Sequence, residues 1–360
     1  MEGEINNLLM VWTLAAATLC YCHTIGHLIP PGKPRLLALS PAILLLLLLP
    51  LNLTSVHLGG PTSFFLGWLS TFKLLLFAFN KGPLTSHPPL SLLHFVSLAS
   101  LPIKFQSQHQ KPPQKITKNR QNSLISYIFI PLIVVTAYLI PLFGKNQNLH
   151  PKFVLFLYSL HMYIGLEFFF ALASSFTQKL LNVELEPQFD KPYLSTSLQN
   201  FWGKRWNIAV NRVLHPTVYE PVVTATSTVI GRRWAPIPGV FATFAVSALM
   251  HELIFYYLKR EERRTWDAWE PSWDAMCFFA VHGVCLGVEI GVKKVVGGRW
   301  RMPTGVAWVL TVGFVYSTAL WLFLPALVRC RLYEKATREV TALGGFVKGV
   351  YDAFKFVVRR

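Results

Sequence analysis

Leu36-Leu37-Ala38-Leu39-Ser40-Pro41-Ala42-Ile43-Leu44-Leu45-Leu46-Leu47-Leu48-Leu49-Pro50-Leu51 is an almost unbroken aliphatic run. About 20 such residues, rising 1.5 Å each in a helix, cross the hydrocarbon core of a bilayer. Comparable stretches recur at 8–28, 61–79, 124–143, 153–177, 236–258, 274–292 and 304–328, with a weaker one at 88–103. A chain of 360 residues cannot bury that many apolar segments in a water-soluble core. The reading is an all-α, polytopic integral membrane protein with about eight to ten membrane-embedded helices.

Composition agrees. The chain is 52% hydrophobic and 14% charged, against about 25% charged in an ordinary soluble domain. Its net charge of +17 comes from 34 Lys and Arg against 17 Asp and Glu. These basic residues sit between the apolar runs, where headgroups favour them, and nothing resembles a nucleic-acid-reading element. The partners expected are membrane lipids and not nucleic acid. The five cysteines, Cys20, Cys22, Cys277, Cys285 and Cys330, form no Cys-x-x-Cys pair and read as small buried hydrophobes. Met1-Glu2-Gly3-Glu4 lacks the basic start of a secretion signal, so 8–28 is read as a retained membrane segment.

The whole of 1–360 reads as one domain. It divides into N-terminal membrane helices (1–177), an amphipathic motif segment (178–234), C-terminal catalytic helices (235–328) and a basic tail (329–360). A polar stretch at 104–122 carries Lys104, Lys111, Lys115, Lys118 and Arg120 with no acidic residue and is expected to be a cytoplasmic linker. Basic residues fall on both sides of the spans, so the positive-inside rule selects no orientation.

Several chemistries are excluded by reading. There is no Gly-x-Ser-x-Gly nucleophile elbow, and no His precedes an Asp by four or five residues. His251-Glu252-Leu253-Ile254-Phe255 has Phe where a zinc-protease helix needs its second His, so no metal site is expected.

Taken as one helix at 100° per residue, 199–215 places Asn200, Lys204, Asn207, Asn211 and His215 within about 80° of each other. Trp202, Trp206, Ala209, Val210 and Val213 fall on the opposite side. A stripe of amides suits either the membrane interface or a hydrophilic cavity. His251, inside the apolar run Phe241–Met250 and beside Glu252, favours the cavity, because ionisable groups at membrane depth line cavities, pair or do chemistry. A neutral imidazole there can accept a proton. His282 shares a helical face with Glu289 and Lys293 and is a candidate for the acceptor side of that cavity; Glu289 reads as half of an i,i+4 pair. His161, near Tyr158 and Tyr163, is a further candidate.

Phe201-Trp202-Gly203-Lys204-Arg205-Trp206-Asn207-Ile208-Ala209-Val210, followed 44 residues after Asn207 by His251-Glu252, resembles the membrane-bound O-acyltransferase superfamily. His57-Leu58-Gly59-Gly60-Pro61-Thr62 and Phe72-Lys73-Leu74-Leu75-Leu76-Phe77-Ala78-Phe79 make it most similar to the plant wax synthases of the jojoba type. The resemblance covers nearly the whole chain. It implies an intramembrane catalytic cavity in the endoplasmic reticulum, where a long-chain acyl-CoA esterifies a long-chain fatty alcohol. A sterol or diacylglycerol is the alternative acceptor, with acetyl-CoA as a possible donor. His251 matches the family's catalytic histidine, and Asn207 its partner. Residue chemistry agrees: the alcohol must lose a proton to a base such as His251, and an amide N–H such as that of Asn207 can stabilise the carbonyl oxygen. Lys204, Arg205, Arg232 and Arg233 are expected around the CoA phosphates, and Trp202, Trp206, Glu252 and His282 near substrate. No cofactor or metal is required, acyl-CoA being a co-substrate. The rival class is a transporter or lipid-binding scaffold with His251, His282 and Glu289 along a path.

Overall fold

The computed structural model describes residues 2–86, 89–102, 150–181, 187–259, 271–297, 302–339 and 341–342. Its long helices are α1 (Glu2–Leu28), α2 (Lys33–Leu48), α3 (Val56–Ala78), α5 (Pro151–Leu181), α7 (Pro236–Lys259), α8 (Trp273–Val296) and α9 (Thr304–Arg329), with the short α4 (Leu92–Ser100) between α3 and α5. Six of them, α1, α2, α3, α7, α8 and α9, are long and apolar enough to cross a membrane. Between α5 and α7, α6 runs Ile208–Leu214, widens through His215–Tyr219 and continues as Glu220–Ile230. The protein is thus an α-helical integral membrane protein. The expected segment 124–143 and the linker 104–122 lie outside the described residues.

One expected span is overturned. The 88–103 stretch forms only the nine-residue α4, far short of a core about 30 Å thick. Its C-terminal end is capped instead: the buried Lys73 ammonium donates to the carbonyls of Leu98 (2.7 Å) and Leu101 (2.6 Å).

Two bodies of apolar packing matter here. Val11, Leu19, Leu39, Leu46, Leu74 and Phe95 centre a core shared by α1, α2, α3 and α4. A second joins α7, α8 and α9 through Phe244, Phe278, Phe279 and Leu286. The helices α7 and α8 approach closely because α8 carries Gly283 and Gly287 on one face: a Cβ at Gly283 would stand 3.2 Å from Phe244 Cβ. Without a hydrophobic drive between helices in lipid, such close backbone packing supplies much of the association.

The described residues contain four π-helical stretches, at 63–70 in α3, 201–205, 215–219 and 319–323 in α9. Each widened turn leaves backbone groups out of the ordinary ladder and shifts the side chains around it. In α9, for example, the carbonyl of Leu320 accepts from Lys152 Nζ at 3.2 Å, the same ammonium lying over the Trp321 ring.

The His57-Leu58-Gly59-Gly60 motif has a structural role at the start of α3. Ser55 caps the helix by accepting from Leu58 N–H. Residues 332–339 are helical and bring Glu339 onto the same turn. Its carboxylate accepts from Val56 N–H (2.6 Å), His57 N–H (3.1 Å), Ser55 Oγ (2.8 Å) and His57 Nδ1 (2.7 Å). Burial pushes the Glu339 carboxyl up, but hydrogen bonds from His57, from the Val56 and His57 amides and from Ser55 outweigh it and hold it at about 2. Since the folded value is depressed below the ordinary 4.5, this contact stabilises the fold above about pH 4.5 and is lost as pH falls toward 2. Glu339→Gln should therefore lower the melting temperature by a constant margin from pH 7 to 5, a margin that narrows below pH 4.5. Thermal unfolding of the detergent-solubilised variant across that range checks it.

Candidate active site

The motif segment is not the single helix its periodicity suggests. Residues 188–190 pair with 205–208: Phe189 bridges Trp206 in antiparallel fashion, Asp190 N–H donates to Arg205 O (2.9 Å) and Ile208 N–H to Gln188 O (3.0 Å). Trp206 is consequently extended, and Asn207 is left-handed (φ 46°, ψ 60°), immediately ahead of α6. Asparagine is among the few side chains that tolerate this region. A pairing partner about 17 residues upstream breaks the helix, and local periodicity cannot register it.

The break also separates the asparagines. Asn200 Oδ1 accepts from Arg205 Nε (2.9 Å), and Asn211 Nδ2 donates to Gly203 O (2.6 Å). Both hold the turn together. Asn207 differs: its buried Oδ1 has no hydrogen-bond partner among the described residues, a state that costs about 1–3 kcal/mol in a buried acceptor.

Asn207 faces a cavity of about 310 Å³ between the motif segment, α7 and α8. Gln199, Lys204, Asn211 and His215 supply polar wall, and Val240, Phe244, Leu286 and Ile290 supply apolar wall. Trp202, Trp206 and, from α7, Ser247 and His251 also line it. The structure therefore brings five of the expected residues to one cavity: His251, Asn207, Trp202, Trp206 and Lys204.

His251 has a defined tautomer. Its Nδ1 lies 2.8 Å from the Ser247 carbonyl, which can only accept, so Nδ1 carries the proton and Nε2 keeps the lone pair. The ring is held by Phe279 of α8 (4.4 Å between centroids), Trp68 of α3 (5.1 Å, edge-on) and Phe323 of α9 (5.6 Å, edge-on). Trp68 and Phe323 both come from π-helical turns. The sequence reading passed over Ser247, although its place one turn before His251 is a local signal for such an acceptor. The aromatic residues come from three other helices and carry no local signal.

The other expected site residues stand elsewhere. Glu252, one residue on from His251, is rotated about 100° away from it. It is buried, accepting both ways from Ser272 N–H (3.0 and 2.9 Å) at the start of α8. Arg205 is committed to Asn200 and to the carbonyls of Asp190 and Lys191. Arg233 donates to Lys294 O (2.6 Å), pinning the 231–235 loop to the end of α8, and Arg232 is exposed beside it. His282 is wholly buried behind Trp202. Glu289, paired with Lys293 at 2.6 Å, also accepts from Leu198 N–H (2.7 Å) and Gln199 N–H (3.3 Å), so it anchors the first turn of the motif segment. His161 lies against Tyr333 and away from the cavity lining.

Comparison with known proteins decides the family. Residues 185–281 match the membrane bound O-acyl transferase family. The chain is 43% identical over 336 residues to acyl-CoA–sterol O-acyltransferase 1 of Arabidopsis thaliana, covering 93% of this chain and 94% of that one. It is 43% identical over 335 residues to the long-chain-alcohol O-fatty-acyltransferase of Simmondsia chinensis, with 91% and 92% covered. A probable long-chain-alcohol O-fatty-acyltransferase 3 of Arabidopsis thaliana is 38% identical, with 97% of each chain covered. The chain belongs to the membrane-bound O-acyltransferase family. It is an O-acyltransferase that transfers an acyl group from a donor to a lipid alcohol. The matched region of this O-acyltransferase contains the motif segment from 185 onward, His251 and the first part of α8, and so includes every wall residue of the cavity except Leu286 and Ile290.

Proposed function

We propose that the enzyme makes wax esters in the endoplasmic-reticulum membrane, from long-chain fatty acyl-CoA and a long-chain fatty alcohol. The observation that carries the chemistry is that His251, with Nδ1 tied to Ser247 O, shares one cavity with Asn207, whose carboxamide oxygen has no partner among the described residues. His251 Nε2 takes the hydroxyl proton as the alcohol oxygen attacks the thioester carbonyl. Asn207 Nδ2–H donates to the oxygen on which charge develops. The C–S bond then breaks, the ester C–O bond is retained, and the proton passes from Nε2 to the departing CoA thiolate. No cofactor enters this scheme.

A sterol acceptor is the second reading, because the Arabidopsis relative named for acyl-CoA–sterol acyl transfer is 43% identical, the same as the relative named for long-chain alcohols. Microsomes from a host lacking neutral-lipid synthesis, given labelled acyl-CoA with fatty alcohol, sterol or diacylglycerol, separate the two. Wax ester as the dominant product is expected; dominant steryl ester would overturn the first reading.

Lys204 is the cation of the expected phosphate cluster that lines the cavity, and we assign it the donor's phosphates. Lys204→Glu should raise the KM for acyl-CoA severalfold and leave acceptor dependence unchanged. Arg205→Ala should instead lower the yield of folded enzyme, since it leaves the Asp190 and Lys191 carbonyls without their donor. Initial rates over both substrates, with melting curves, check the contrast.

A further inference from the structure

The motif tryptophan is held from behind by a histidine that the scheme above does not use. Trp202 Nε1–H can only donate, so His282 Nδ1 is the acceptor, at 3.0 Å. His282 Nε2 must then carry the proton, which it gives to Thr318 Oγ1 at 2.8 Å. The Thr318 hydroxyl in turn donates to the Phe314 carbonyl at 2.8 Å. Every site on the imidazole is taken, and the ring is 0% exposed. It has one tautomer and no lone pair directed at substrate.

We propose that His282 is a positioning residue for acyl transfer, fixing the Trp202 indole as a wall of the reaction cavity. The proposal rests on the reading that this cavity is where the acyl group is transferred. Trp202 lines the cavity and meets Phe244, another wall residue, edge-on at 5.4 Å. Phe279, one turn before His282 on α8, lies against the His251 ring. A single turn of α8 therefore sets both the imidazole of His251 and the indole beside it. With its N–H consumed by His282, Trp202 offers the cavity only carbon, so the part of the substrate it borders is hydrocarbon. Glu289, seven residues on, fastens the start of the same motif segment. The segment is thus held to α8 by His282, by Glu289 and by Lys293, whose ammonium donates to Gln199 Oε1 at 3.3 Å.

Two substitutions separate positioning from bulk. An Asn carboxamide reaches the place of the His Nδ1, and a Gln carboxamide that of Nε2. His282→Asn keeps an acceptor for Trp202 and loses Thr318, whereas His282→Gln does the reverse. In ester formation from acyl-CoA and fatty alcohol, His282→Gln should lose about tenfold in kcat/KM, the scale of one hydrogen bond, and His282→Asn clearly less. In a Trp202→Phe background, which has no N–H to hold, the two should be equal. Melting curves of each variant accompany the rates.

A His282→Gln enzyme as active as His282→Asn, or a difference that survives in Trp202→Phe, overturns the proposal and leaves His282 a packing residue. If neither His282 variant folds, Trp202→Phe alone decides, because full kcat/KM in that variant is incompatible with the role. His251→Ala in the same assay tests the proton-acceptor reading separately: an active His251→Ala defeats that reading and leaves the Asn–Gln comparison intact.

Discussion

His251→Ala is expected to cut turnover at least about 100-fold, the low end for loss of a general base, while the protein still inserts and melts near the wild-type temperature. Three aromatic rings from α3, α8 and α9 surround this imidazole, and truncation leaves Phe279 and Phe323 packed on each other and on Phe278. The Ser247 carbonyl stays satisfied as a helical acceptor. The effect should therefore appear in kcat and not in folded yield. His251→Gln sharpens the test, since it keeps a polar side chain of similar reach but has no basic nitrogen. It should be as inactive as His251→Ala. Turnover in either variant within a few-fold of wild type would remove His251 from the proton-transfer step.

Asn207 is expected to give the second large effect. Loss of one oxyanion donor costs about 10²–10³ in kcat in a well-studied protease, and a group that acts in the transition state lowers kcat and kcat/KM together. Asn207→Ala and Asn207→Asp should both lose turnover on this scale, with Asp no better than Ala, because Asp replaces the Nδ2–H₂ donor by acceptor oxygens. The left-handed backbone at this position (φ 46°) adds a control. Asn207→Gly accommodates that conformation without a Cβ, so it should fold at least as well as Ala and remain as inactive. Recovery of turnover in Asn207→Asp would make Asn207 an acceptor that orients the alcohol, and the oxyanion role would fail. Recovery in Asn207→Gly would reduce Asn207 to a backbone requirement.

The membrane class and most of the helices were legible from apolar run length, since in lipid every backbone group must be satisfied within its own segment. The expected 236–258 and 274–292 correspond to Pro236–Lys259 and Trp273–Val296. The exception, 88–103, fails because a run of apolar residues also suits a short helix capped by a buried lysine. His251 and Asn207, which line one cavity and to which we propose to assign the chemistry, were singled out in the sequence as well: one as an ionisable group at membrane depth, the other through the motif that carries the family resemblance.

Other roles depended on contacts between distant parts of the chain. The amide stripe dissolved because residues 188–190 pair with 205–208 and break the helix at Trp206. Among these three asparagines, Asn207 alone was then left with a buried carboxamide oxygen that has no partner among the described residues, while Asn200 and Asn211 became braces. Arg205, Glu252 and His282 have the residue types of a substrate site, yet each is spent on a backbone or side-chain partner: Asp190 and Lys191, Ser272, and Trp202 with Thr318. Residue type and spacing specify what a side chain is able to bond. Which bond it makes is set by what packing brings within about 3 Å, and here those partners lie up to 80 residues away along the chain.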